Sequence, residues 1–181
     1  MKIIIIGASG KIGREIDRAL SQDHEIVRVG ATSGDIQCDY TNPSSVQSMF
    51  DNVGAYDALV AVAGRDSHFG PFEGLTDDHF RYGFERKVLA QTRLVYLGQP
   101  TIRDGGSITL TSGFLSDYPN PSSLATGPLN SAVDTFVQHA APLLPKNIRL
   151  NVVSPAPVVE PGHERQGLVT EAQTAQYYVN A

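Results

Sequence analysis

The sequence predicts an α/β fold, a doubly wound parallel sheet of Rossmann type with helices on both faces making three layers. Two observations carry this. Short β-branched or alternating runs take turns with stretches whose apolar residues recur at helical spacing, from Ile3 to Val179. The first of those runs also leads directly into a glycine-rich turn that opens a helix. With 181 residues, 41% of them hydrophobic, the chain is read as one domain over 1–181 with its own core.

Ile3 to Ile6 is a continuous β-branched run, as in a central parallel strand covered on both faces. It stops at Gly7, too short for a signal-peptide core or a membrane span. Ile12, Ile16, Ala19 and Leu20 then share one helical face. Glu25 to Val29 reads as the second strand. Pro43 opens a helix with Val46, Met49, Phe50 and Val53 on one stripe. Asp57 to Ala63 is the third long strand, and a long helix runs from an N-cap at Thr76 to about Leu97. Ser107 to Thr111 alternates into a strand. Leu129, Ala132, Val133, Phe136, Val137 and Ala140 mark another amphipathic helix, Ile148 to Val153 another strand, and Glu171 to Val179 a last helix.

Composition narrows the function. A net charge of −5 argues against a nucleic-acid backbone as partner, since phosphate binding needs a basic face. The single cysteine, Cys38, forms no internal disulfide and suits a reducing cytoplasm. The five histidines show no metal-ligand spacing, so no metal is expected. No G-x-S-x-G elbow is present.

The turn after the first strand is Gly7-Ala8-Ser9-Gly10-Lys11-Ile12-Gly13. Glycines at this spacing permit a tight turn and a close backbone approach to a pyrophosphate, which then sits on the N–H donors of the helix N-terminus. Lys11 and Arg14 add positive charge nearby. The bland reading is a structural βα turn; the strand-to-helix context favours a dinucleotide.

From this loop onward the chain resembles the short-chain dehydrogenase/reductase family over nearly its whole length. Gly7 to Gly13 looks like that family's cofactor loop. Cys38-Asp39 resembles its adenine-holding acidic element, and Val62-Ala63-Gly64 its Asn-Asn-Ala-Gly element with both asparagines replaced. Thr111-Ser112-Gly113 ends a strand where the family places its catalytic serine. The segment 149–155 (RLNVVSP) is close to Arg-Val-Asn-x-Val-Ser-Pro. The resemblance implies cofactor contacts at Gly7, Ser9, Gly10, Lys11, Ile12, Gly13, Cys38, Asp39, Ala63 and Gly64, with Pro155 and Val158 beside the nicotinamide. It also implies a small-molecule substrate and no membrane. Family members often pair their two long helices across a two-fold axis; Phe80, Phe84, Phe136 and Val137 on the equivalent helices here predict a homodimer or homotetramer. The family usually adds one more strand after its last helix, and the sequence shows none after Val179.

The departures bear on chemistry. The family passes a proton through a tyrosine whose pKa is lowered by a lysine four residues on; these positions hold Thr126 and Asn130. A threonine hydroxyl is too weakly acidic to replace the tyrosine. The family's asparagine on the preceding long helix aligns with Lys87, so an ammonium is expected to enter the site from the opposite side. Ser112 keeps its place to polarise a carbonyl oxygen. Tyr82 is read as packing, and Tyr118 as a loop residue near the site. After the second strand no acid stands before Asp35, whereas Thr32 and Ser33 can donate to a 2′-phosphate; NADP is therefore preferred, with NAD possible. The leading reading is an NADP(H)-dependent oxidoreductase acting on a carbonyl or alcohol. Its rival is a catalytically idle dinucleotide-binding protein, a redox sensor or an assembly partner.

NADPH is expected to bind the loop more tightly than NADH, and Gly10→Asp to abolish binding by setting charge and bulk against the pyrophosphate. Fluorescence titration checks this; parent-like binding by the variant removes the site from this loop.

Overall fold

A computed structural model describes residues 1–63, 67–163 and 165–181. Six strands form one sheet: β1 (Lys2–Ile6), β2 (Glu25–Gly30), β3 (Ile36–Gln37), β4 (Tyr56–Ala61), β5 (Ile102–Thr111) and β6 (Arg149–Val153). Their order is β3-β2-β1-β4-β5-β6, and every pairing is parallel. The chain reverses its direction of travel across the sheet between β1 and β4, which is where such sheets open a crevice at their C-terminal edge.

The isoleucine run explains the layering. Successive side chains of a strand point to opposite faces. Ile4 and Ile6 join a core with α2 (Pro43–Val53), α4 (Ala90–Gly98) and α5 (Gly127–Ala140). Ile3 and Ile5 join a second core with α1 (Lys11–Leu20) and α6 (Glu171–Val179). All four are essentially inaccessible to solvent. A strand buried on both faces has no use for alternation, hence four isoleucines in a row.

Several boundaries differ from the sequence reading. The third strand ends at Ala61, because Val62 turns its N–H to the Ile6 carbonyl and the chain leaves the neighbour on its other side. β5 starts at Ile102, five residues early; its Asp104-Gly105-Gly106 reads as a turn, and indeed residues 103–106 bulge between the Tyr56↔Ile102 and Ala58↔Ser107 pairings. The edge strand β3 is too short to show any period. A small pair, β7 (Val158–Val159) and β8 (Val169–Thr170), lies apart from the main sheet.

The long helix is broken in the middle. It consists of α3 (Asp77–Gly83), a π-helical stretch (Phe84–Leu89) and α4. Thr76 does stand at its N-cap, where its N–H donates to His79 Nδ1 at 3.2 Å. Val137 is buried in the core and Phe136 packs against it, so neither offers an association surface; Phe80 and Phe84 are exposed. Among the described residues no helix is long and apolar enough to cross a membrane.

Candidate active site

The glycine loop has the geometry its spacing implies. Gly7 has φ of +87°, a region that penalises any Cβ. Its carbonyl oxygen receives the Gly10 N–H at 3.0 Å. A Cβ on Gly13 would lie 2.1 Å from that same oxygen, so only glycine lets α1 start this close to the turn. Gly10, Lys11, Ile12 and Gly13 line a cavity of about 430 Å³; Ser9 is exposed beside it. The first N–H groups of a helix have no partner within it and suit an anion.

The two residues of the Cys38-Asp39 element differ in exposure. The Cys38 side chain is core: it is 2% exposed, packs in the main cluster and receives the Ser45 hydroxyl at 3.6 Å. Asp39 is exposed. Its Oδ1 accepts from the Thr41 hydroxyl at 2.6 Å and the Thr41 N–H at 3.0 Å, which hold its carboxyl below the usual range. The Lys11 ammonium lies 3.7 Å from Glu171 and 3.8 Å from Glu160. Thr32 and Ser33 are exposed beyond β2, and the Asp35 carboxylate is turned to the Arg28 N–H at 2.8 Å. Ala63, Pro155 and Val158 line the cavity; Gly64 lies outside the described residues.

The same cavity continues to Lys87, Ser112, Thr126 and Asn130. Lys87 stands on the π-helical stretch, is 7% exposed, and donates to the Ser112 carbonyl oxygen at 2.9 Å. Burial pushes its ammonium down to about 8, while Asp134 on α5 acts the other way. Ser112 follows the last residue of β5. Its Oγ is buried without a partner, and so is Asn130 Oδ1. Thr126 Oγ1 lies 2.9 Å from Ser67 Oγ and 3.1 Å from the His68 carbonyl oxygen, so its one proton is already committed within the loop 67–70. Tyr118 is 72% exposed and does not line the cavity; Tyr82 is exposed too, under the Arg86 guanidinium at 4.8 Å.

One residue escaped the sequence reading. Gln91, 1% exposed, donates from Nε2 to the Thr111 carbonyl oxygen at 2.8 Å and accepts the Thr111 N–H at 2.7 Å. Gln91 stands one turn after Lys87, and no periodicity separates a glutamine that pairs with a strand end from one in solvent.

The family described as enoyl-(acyl carrier protein) reductase matches residues 12–177. The chain belongs to the short-chain dehydrogenase/reductase family. Protein lin1944 of Listeria innocua is 34% identical and superposes with a TM-score of 0.92, covering 99% of this chain and 92% of that one. An uncharacterized oxidoreductase of Methylorubrum extorquens is 27% identical, over 91% of this chain and 76% of its own length. A short chain dehydrogenase of Burkholderia cenocepacia, solved in complex with NADP, shares the fold at 20% identity, with a TM-score of 0.86 over 98% of this chain and 88% of that one. Within this family of oxidoreductases, the present site sets its ammonium on the helix preceding β5, and its amide at Asn130.

Burying that ammonium has a thermodynamic signature. With the folded value near 8 and the usual value near 10.5, the unfolded chain binds more protons between these limits, so stability from Lys87 rises with pH across that window. Below pH 8 the full cost of burial is present. Lys87→Met should therefore stabilise the protein at pH 7 on the order of 1–3 kcal/mol, after the loss of the bond to Ser112. The gain should vanish above pH 10.5. Urea denaturation at both ends of the range measures this; an equal gain at both ends contradicts the buried charge.

Proposed function

We propose that this chain, as one Rossmann domain over residues 1–181, is an NADP(H)-dependent oxidoreductase that transfers hydride to or from a carbonyl or alcohol carbon. The observation that carries this is the single cavity that joins the glycine loop to Lys87, Ser112 and Asn130. A dinucleotide with its pyrophosphate on the loop has its other end at those three residues. The Burkholderia relative's NADP and the lack of an unengaged acid between Thr32 and Asp35 support NADP over NAD. The bound dinucleotide supplies the hydride chemistry. Ser112 Oγ, which has no protein partner, donates to the substrate oxygen, and the Lys87 ammonium stabilises the negative charge that develops there. An amine near 8 also gives up its proton readily at neutral pH, the task that Thr126 is too weakly acidic to perform.

A screen of carbonyl compounds with NADPH, followed by absorbance, tests the reading. Lys87→Met should fold, bind NADPH and lose about 10²-fold or more in turnover. Turnover equal to the parent's would reduce Lys87 to a structural lysine. The idle-binder reading keeps one specific support, the engaged Thr126 hydroxyl. Tight NADPH binding with no turnover on any compound would favour it.

The chain also carries Phe80, Tyr82, Phe84, Leu89 and Tyr96, each at least 39% exposed, along the helical stretch 77–98. This apolar face supports a homodimer or homotetramer, and the buried lone thiol of Cys38 suits the cytoplasm. Light scattering at micromolar concentration should show a dimer or larger, and Phe84→Glu should shift it toward monomer. A monomeric parent would end the idea.

A further inference from the structure

Arg93 on α4 is 8% exposed, and among the described residues its guanidinium has no carboxylate at ion-pair distance. Its Nη1 donates instead to two consecutive carbonyl oxygens, of Tyr40 at 3.2 Å and of Thr41 at 2.8 Å, while its Nε is buried with no partner. Taking a guanidinium out of water without an adjacent acid is costly. Tyr40 and Thr41 are only half-buried, so water could satisfy their carbonyls at no such cost. The arginine does what water cannot: it fixes where these two residues stand.

The turn they belong to carries Asp39. Local bonds set its shape. The Asn42 N–H donates to the Asp39 carbonyl oxygen at 2.9 Å, the Asp39 N–H donates to Ser45 Oγ at 3.0 Å, and Thr41 donates twice to Asp39 Oδ1. All of these lie within residues 39–45. At its start the turn is tied to β2 by the Cys38 N–H, which donates to the Gly30 carbonyl oxygen at 3.0 Å. Arg93, 52 and 53 residues away in sequence from its two partners, ties the other side to α4. Arg93 thus holds the Thr41 carbonyl, and Thr41 holds the Asp39 carboxylate. Thr41 is the main cause of the lowered Asp39 value, and the charges of Arg86 and Arg93 act the same way.

The sheet gives this turn its place. β1, β2 and β3 are parallel neighbours, so the glycine loop after β1 and Asp39 after β3 leave the same edge, two strand spacings or about 10 Å apart. Ser112, after β5, lies on the other side of the loop. A dinucleotide with its pyrophosphate on the loop and its nicotinamide toward Ser112 has its adenosine half toward Asp39. A carboxylate there accepts from the exocyclic amine of adenine.

We propose that Arg93 is a positioning residue for the adenosine half of the dinucleotide, holding the 39–42 turn where the Asp39 carboxylate meets the adenine. This rests on the dinucleotide reading above, and Arg93 itself touches no part of the cofactor. Without the guanidinium the turn keeps its local bonds and loses its fixed place. The loss then falls on ligands that carry adenosine and spares those that do not.

Fluorescence titration of the full chain compares NADPH, reduced nicotinamide mononucleotide, and adenosine 2′,5′-bisphosphate as a competitor of NADPH. Arg93→Met keeps an apolar stem and removes both bonds. It should weaken NADPH and the bisphosphate by roughly tenfold each and leave the mononucleotide unchanged. Arg93→Lys, which retains charge and reach, should recover most of that loss. Asp39→Ala should weaken the same two ligands, and adding Arg93→Met to it should weaken them little further, because Arg93 acts through Asp39. Parent-like NADPH binding by Arg93→Met overturns the inference. So does a loss shared equally by the mononucleotide, or losses at Arg93 and Asp39 that simply add. If circular dichroism shows that Arg93→Met does not fold, Arg93→Gln takes its place under the same outcomes. A parent that binds no NADPH removes the dinucleotide reading and this inference together; NADPH binding untouched by the Arg93 variants removes the inference alone.

Discussion

The final turn of β5 is held by side chains rather than by a neighbouring strand, and the site follows from that constraint. β4 ends at Ala61, so the polar groups of Thr111 have no strand partner on that side. Buried backbone groups are seldom left unpaired. Gln91 supplies both missing bonds, Lys87 takes the next carbonyl, and the Thr111 hydroxyl reaches across to the Ala61 carbonyl at 2.5 Å. On the other side β6 still holds the Ser112 N–H through the Val153 carbonyl at 2.9 Å. The gap between the diverging strands opens into the cavity that Thr111, Ser112 and Lys87 line. Ser112 is thus fixed on both its backbone groups while its hydroxyl stays free.

Lys87 serves this scaffold at a cost. A neutral side chain would sit more comfortably at 7% exposure, and an unpaired buried charge is among the more destabilising features a core can carry. The charge is tolerated because one N–H is satisfied by the Ser112 carbonyl and Asp134 lends distant support. The π-helical stretch around it widens the helix locally, a feature that recurs at functional sites. The cavity lining, the π-helical geometry and the buried charge coincide on one short segment. That coincidence is hard to account for by packing alone.

How much of this could be read from the sequence depends on the range of the interaction. The sheet was legible because strand and helix periods are local, and the isoleucine run of β1 reports burial on both faces by itself. The glycine loop was legible too, since Gly7 and Gly13 are needed for a contact between residues six apart. The expectation that an ammonium enters the cavity at Lys87 came from alignment with the family, and its depth of burial was beyond any local signal. The burial of the Cys38 thiol had no local signal, because the element fixes a backbone position and not which way a side chain points. The ion pairs of Lys11 were not legible because its partners, Glu160 and Glu171, lie about 150 residues away in sequence. Gln91 was missed because no period distinguishes a glutamine that pairs with a strand end from one in solvent.

The carboxylates on Lys11 raise a question of charge, because a pyrophosphate on the loop would share that ammonium with them. Their exposure decides the matter. The Lys11 side chain is 55% exposed and that of Glu160 is 73% exposed, so this pair contributes little and yields readily to a stronger anion. Glu171 is different, with a side chain only 15% exposed at the first turn of α6, where the helix N-terminus stabilises it in place. Lys11 therefore links the first turn of α1 to the first turn of α6. Tyr178, buried on α6, touches the Thr111 hydroxyl at 2.8 Å. The helix that holds Lys11 through Glu171 therefore also braces the end of β5 that leads into Ser112.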